Sequence, residues 1–118
     1  MNWLVAGLLC CAVAVVAGAF GAHGLASRLD APALELWETA ARYLMYGGLA
    51  VALLGLAARV LGQQLAAAGV CLLAGTLVFS LTVFALALGS PRWLGAVTPV
   101  GGLLMIVGLV LFAVAAWR

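Results

Sequence analysis

The sequence predicts an all-α membrane protein, a bundle of four transmembrane helices in an up-down-up-down order. Of its 118 residues, 69% are hydrophobic and only 7% are charged, whereas a soluble domain is about 25% charged. A soluble chain this short could not hide so many apolar side chains, because a small domain leaves much of its surface exposed. The chain also contains four apolar segments, each close to the roughly 20 residues that a helix needs to cross a bilayer.

These segments form one predicted transmembrane domain over residues 1–118. The predicted spans are residues 3–22, 40–58, 65–88 and 98–117, with an amphipathic interfacial segment at 31–39. The first segment lacks the basic start of a signal peptide, so we expect it to be a membrane span. Asp30 followed by Pro32 predicts the start of the second helix. Thr98 followed by Pro99 predicts the start of the fourth.

Composition argues against several classes of function. The net charge is only +2, from five arginines and three acidic residues, so the chain has no basic face for nucleic acid. The three cysteines lie in apolar stretches without the spacing of a zinc site or a disulfide framework. No nucleophile stands in a pattern with a base, and no phosphate-binding loop is present. We therefore expect a non-enzymatic protein, and we assign it no catalytic residue, cofactor or metal.

His23, the only histidine, ends the first span and defines the candidate polar site. The short linker returns four possible partners to the same membrane face: Glu35, Glu38, Tyr43 and Tyr46. A charged histidine is costly at membrane depth, so the favoured interpretation is a neutral polar tie between the first two helices. The alternative is a site that binds a lipid, quinone or haem beside His23, or that relays protons.

The two glutamates could do acid–base work or hold a cation only if they were buried together. Glu35 and Glu38 are three residues apart, and Arg42 follows Glu38 by four. Glutamate followed four residues later by arginine favours a surface pair on a helix. We therefore expect a solvated interfacial face here.

Small residues mark the predicted helix contacts. They are Gly18 and Gly21 on the first span and Gly101, Gly102 and Gly108 on the last. Small side chains let helix backbones approach closely, which is the main attraction between helices in lipid.

On the third span, Thr76 and Ser80 are four residues apart and form a polar face. Their hydroxyls can bond to their own helix or to a neighbouring one. The other spans offer few polar side chains, so solute transport is the weakest of the functions considered.

Three motifs resemble those of a known family. They are GAFGAH at residues 18–23, GTLVFS at 75–80 and VTPVGG at 97–102. In this order they resemble the YgdD-like family of small membrane proteins, the family of domain of unknown function 423, which includes transmembrane protein 256. The resemblance implies a multi-span protein of four helices in a bacterial inner membrane, with both termini cytoplasmic. It implies no activity, because the family has none established.

One position departs from the family pattern. Members commonly carry a second histidine on the second helix after an aromatic residue, and here Gly47 follows Tyr46. A histidine pair that bound metal or relayed protons would be incomplete in this chain. The departure favours a packing or docking role, so we expect association with a membrane protein partner or a second copy, as an accessory subunit of a larger complex.

Overall fold

The structure, a computed structural model, describes residues 2–117, and these residues form four α-helices. The helices are α1 (Trp3–His23), α2 (Ala31–Leu61), α3 (Ala66–Ala87) and α4 (Leu94–Trp117). The described residues contain no strand, so the predicted all-α fold of four helices is confirmed. Met1 and Arg118, the termini that the resemblance places in the cytoplasm, lie outside the described residues.

All four helices are long and apolar enough to cross a bilayer. Their mean hydropathy runs from 1.8 in α2 to 2.5 in α4. Large apolar side chains cover the outside of the molecule, among them Val16, Leu53 and Ile106, each more than half exposed. Such a surface would be unfavourable in water, whereas contact with the hydrocarbon chains of lipid carries no such cost. The outer surface is therefore the lipid-facing surface.

Short polar signals set the helix ends. Asn2 accepts a hydrogen bond from the Val5 N–H at 3.2 Å and caps α1. Asp30 accepts from the Ala33 N–H at 2.9 Å and caps α2, as predicted. Gly62 ends α2 with a φ of 65°, a left-handed conformation that glycine adopts without strain.

The predicted interfacial segment and the second span are one continuous helix. α2 has 31 residues, or about 46 Å at 1.5 Å per residue, which exceeds the hydrocarbon thickness of about 30 Å. No proline or glycine interrupts the chain between Pro32 and Gly47, so nothing breaks the helix near residue 39. The early turns of α2 carry the chain's glutamates, and their place at the membrane interface stays a prediction.

The fourth helix begins four residues before the predicted start at residue 98. The N–H groups of Leu94, Gly95 and Ala96 donate to carbonyls three residues back, at 2.9–3.2 Å. These bonds build a first turn before Pro99, which lies inside the helix. Pro99 removes only the one N–H that would reach the Gly95 carbonyl. The helix can therefore start earlier than the proline suggested.

Each helix packs mainly against its neighbours in the sequence, so α1 and α4 flank the central pair of α2 and α3. Contacts pair residues in opposite order along neighbouring helices. The pairs are Leu4–Gly55 and Ala17–Trp37 between α1 and α2, Gly47–Thr76 and Trp37–Phe84 between α2 and α3, and Leu72–Gly108 and Thr82–Thr98 between α3 and α4. The up-down-up-down crossing of a membrane stays a prediction.

A small apolar core joins three helices near one end of the molecule. Trp3 of α1 packs with Val51 and Leu54 of α2 and with Ala68 and Leu72 of α3. α4 contributes less, since only 17% of its most apolar stretch is buried, against 39% of the corresponding stretch of α2. The flanking helices thus keep most of their surface for lipid or for another protein.

Candidate functional site

The predicted polar site around His23 is spread over the surface. His23 is exposed at the end of α1, and its side chain makes no hydrogen bond to another residue in the range 2–117. Glu35 and Glu38 are also exposed, and each lines a different hollow on the surface. Arg42 donates to the Thr39 hydroxyl at 3.3 Å, and it forms no ion pair with Glu38. These charged groups are exposed and are not gathered in one cavity.

The two tyrosines belong to an aromatic group on the outer side of α2 and α3. The Tyr43 and Tyr46 rings are 5.3 Å apart, and the Tyr43 ring is 4.8 Å from that of Phe79. Both tyrosines are exposed. Neither forms a hydrogen bond with His23 in the described part of the chain, so the role of these residues as one ligand site stays a prediction.

Trp37 provides the polar tie between the first two helices. Its Nε1–H donates to the Ala17 carbonyl at 2.8 Å. The indole lies over Gly21, where an added Cβ would be 2.6 Å from Cδ1. Its ring also makes an edge contact with Phe84 of α3, with centroids 4.5 Å apart. Trp37 therefore joins three helices. The sequence contained one indication of such a contact, because Trp37 falls in the predicted amphipathic segment at 31–39.

Glycines lie where helix backbones meet. A Cβ added at Gly101 would lie 2.9 Å from the Gly75 carbonyl oxygen, and one added at Gly108 would lie 2.7 Å from the Leu72 backbone nitrogen. A Cβ added at Gly102 would come near only the Phe79 ring, at 3.7 Å. Further glycines, which the sequence patterns did not single out, line the contact between α1 and α2: Gly7, Gly48 and Gly55.

Gly18 differs from these glycines, because an added Cβ there would meet nothing within 4 Å. It lines a groove of about 300 Å³ between α1 and α2. Small side chains form much of the groove, and charged ones lie beside it; the lining residues are Ala14, Gly18, Glu38, Ala41, Arg42 and Met45. The groove is therefore a surface on which another helix could approach closely.

The polar face of α3 is fully enclosed. Thr76 and Ser80 have no exposed surface, and their hydroxyl oxygens have no hydrogen-bond partner among the described residues. Gly47 of α2 lies directly against the Thr76 side chain. Thr76 therefore occupies the room that any side chain at position 47 would need.

A second hydroxyl pair, which the sequence patterns did not identify, bridges α3 and α4. Thr82 and Thr98 place their hydroxyl oxygens 2.7 Å apart. Thr82 is also 2.7 Å from the Val78 carbonyl, and Thr98 is 3.2 Å from that of Leu94. Each hydroxyl has one proton, so Thr98 can donate to Thr82 while Thr82 donates to Val78.

The largest of the described cavities lies at the opposite end of α1 from His23. It has a volume of about 470 Å³. Its lining combines polar and apolar groups: Asn2, Trp3, Gly55, Ala58, Arg59, Gln63, Gln64, Ala66 and Val70. Gln63 and Gln64 lie between the predicted second and third spans, but nothing in the sequence indicated that Asn2 lies beside them. Within residues 2–117, no three histidine, cysteine or acidic side chains group as metal ligands.

Comparison with known proteins gives family matches. The profile of a family described as "Protein of unknown function (DUF423)" matches residues 17–102. The chain is 37% identical to a UPF0382 membrane protein of Staphylococcus haemolyticus over 116 residues, covering 98% of this chain and 95% of the relative. A UPF0382 membrane protein of Staphylococcus epidermidis is 39% identical with the same coverage. No solved structure matches the chain.

Proposed function

The chain belongs to the DUF423 family of membrane proteins, and we propose that it acts without catalysis, by associating with a protein partner in the bacterial membrane. The resemblance drawn from the three sequence motifs is confirmed by the family match over residues 17–102. The relatives carry membrane-protein names without an activity. We propose further that the helices cross the membrane in an up-down-up-down order.

The groove between α1 and α2 carries this proposal. Gly18 and Ala41 let a partner helix approach closely, and a Cβ added at Gly18 would meet nothing within 4 Å. Glu38 and Arg42 lie beside the groove without an ion pair between them, so both can meet polar groups of a partner. A helix of a larger membrane complex is the proposed occupant, with this chain as an accessory subunit.

The test is co-purification at native expression levels after extraction in a mild detergent. We expect the wild type to migrate in a complex and the Gly18→Leu variant, which fills the groove, to lose the partner. Val16→Leu is the matched control, because Val16 lies on the opposite face of α1 and is 67% exposed. A wild type recovered without a partner would contradict the proposal, as would equal loss in both variants.

Binding of a small hydrophobic ligand near His23 has weaker support. His23 lines neither the groove between α1 and α2, nor the cavity at Arg59, nor the hollow beside Glu35. Tyr43, Tyr46 and Phe79 nevertheless offer an aromatic surface. A lipid, quinone or haem that travels with the purified protein and disappears in His23→Ala would favour this function. Wild-type protein free of such a molecule would rule against it.

Solute transport has the least support. Thr76 and Ser80 are enclosed, and Gly47 lies on Thr76 where a path between α2 and α3 would have to pass. Flux in proteoliposomes that is lost in the double variant Thr76→Val, Ser80→Ala would overturn this view.

A further inference from the structure

The cavity between the start of α1 and the turn joining α2 to α3 has the features of an anion site. Arg59 is the charged side chain in its lining. The three acidic side chains of the protein are Asp30, Glu35 and Glu38, all near the start of α2. Arg59 follows Glu38 by 21 residues in the same helix, or about 31 Å along its axis. No acidic side chain therefore neutralises the cavity.

Arg59 lies close to the start of α1. Asn2 Oδ1 is 3.5 Å from the Arg59 Nη2, and the same oxygen caps α1. The guanidinium is thus positioned beside the start of α1 while most of its five N–H donors stay available. Arginine is suited to binding the oxygens of a phosphate, because its planar donors can form two parallel hydrogen bonds.

Further hydrogen-bond donors converge on the same space. Gln63 and Gln64, whose side chains end in amide groups, line the cavity. α3 starts there too, since Ala66 is part of the lining and Leu65, its N-cap residue, provides no side-chain cap. The first N–H groups of a helix have no partner within it and favour an anion. Arginine, two amides and an uncapped helix start therefore surround one cavity.

The other wall of the cavity is apolar and continues towards lipid. Trp3 packs over Gly69 of α3, and Val70 lines the cavity with 57% of its side chain exposed. The polar part lies at the end of the membrane-crossing helices, at the depth of lipid headgroups. A ligand that fits both parts has an anionic phosphate and an apolar chain.

We propose that this cavity binds the phosphate of an anionic phospholipid. The phosphate lies against Arg59, Gln63 and Gln64, and an acyl chain follows Val70 along α3. Basic sites between transmembrane helices are suited to acidic headgroups. This site lies at the opposite end of α1 from His23 and is independent of the groove proposed for a protein partner.

The test is native mass spectrometry of the purified protein with phosphatidylglycerol or phosphatidylcholine. The wild type should retain phosphatidylglycerol in preference to phosphatidylcholine. Arg59→Gln should reduce that preference at least about five-fold, the effect of about 1 kcal/mol for one arginine near a headgroup. Gln64→Glu should give a similar loss, because it keeps Arg59 and adds a negative charge to the cavity.

Arg92→Gln is the matched control, since Arg92 is exposed on the turn between α3 and α4 and should keep the wild-type preference. An unchanged preference in Arg59→Gln or Gln64→Glu would overturn the proposal, as would an equal loss in Arg92→Gln. Inorganic phosphate, added at increasing concentration, separates the two possible sources of the anion. Phosphate could raise the melting temperature of the wild type but not of Arg59→Gln, while phosphatidylglycerol raises neither. In that case the ligand is a soluble anion and the lipid is excluded.

Discussion

At the scale of single residues, Gly47 shows how one position depends on its neighbour across the helix interface. Its backbone lies against Thr76, a side chain with no exposed surface. A side chain at this position, such as the histidine that the resemblance leads us to expect, would collide with Thr76 in this packing. The absence of a side chain at 47 is therefore a packing requirement here.

We predict that Gly47→Ala destabilises the protein by about 1–3 kcal/mol, because the new methyl group overpacks the contact with Thr76. Gly18→Ala is the matched control, since an added Cβ there meets nothing within 4 Å. It should leave stability unchanged or raise it by up to about 1 kcal/mol through helix propensity. Unfolding in detergent measures both variants. Equal stability of the two would contradict this account of Gly47.

Trp37 allows the hydrogen bond and the ring contacts to be separated. Trp37→Phe keeps an aromatic ring beside Phe84 but removes the donor to the Ala17 carbonyl. We expect a loss of about 1 kcal/mol in the free energy of unfolding, the net value of one hydrogen bond. Trp93→Phe, at a position that is 65% exposed, should change little. A larger loss in Trp93→Phe would show that Trp37 is not the tie.

Residue identity alone predicted the local contacts but not those between helices. Asp30 was expected to cap α2, because its partner lies three residues away, and it does so. The predicted partners of His23 lay on another helix. Whether they meet depends on how each helix is rotated, and the sequence of a nearly uniform apolar helix hardly specifies rotation. Trp37 reaches α1 instead, because Gly21 leaves room for its indole.

At the scale of helices, α3 and α4 are joined by close glycine contacts and by one hydroxyl pair. Gly75 and Gly101 let the two backbones approach, and Thr82 meets Thr98 nearer to the loop that joins the two helices. The fourth span was predictable from its hydropathy. The start of this helix was not predictable, because the turn before Pro99 is built from backbone hydrogen bonds that no residue type in the sequence indicates.

A double-mutant cycle with Thr82→Val and Thr98→Val should reveal a favourable coupling of about 0.6 kcal/mol, typical of hydrogen bonds between membrane helices. Each valine keeps the shape of threonine and removes the hydroxyl. The coupling is measured by unfolding the wild type, both single variants and the double variant. Thr82→Ser, which retains the hydroxyl, should keep the coupling. Additive losses in the cycle would show that the 2.7 Å contact contributes no stability.

At the scale of the whole molecule, the order of packing makes the contact between α2 and α3 decisive. Four spans and one domain were expected from hydropathy, because length and apolarity suffice to define a membrane helix. The cavity at Arg59 could not be expected, since it forms only when the start of α1 returns beside the end of α2. Each flanking helix packs mainly on one central helix, so the protein consists of two hairpins joined through α2 and α3.

This arrangement predicts that the chain can be divided between Gln63 and Gln64 and still assemble. The hairpins 1–63 and 64–118, made together and one of them tagged, should co-purify, because the interface of α2 and α3 buries Val51, Leu54 and Leu72. Gly47→Leu should separate them by displacing Thr76, whereas Gly18→Leu should not, since Gly18 lies outside that interface. Gel filtration of the tagged hairpin measures the result. Cutting the loop leaves the buried contact intact and only lowers the effective concentration of the two halves. Hairpins that never associate would therefore show that the α2–α3 loop, not the buried contact, holds the molecule together.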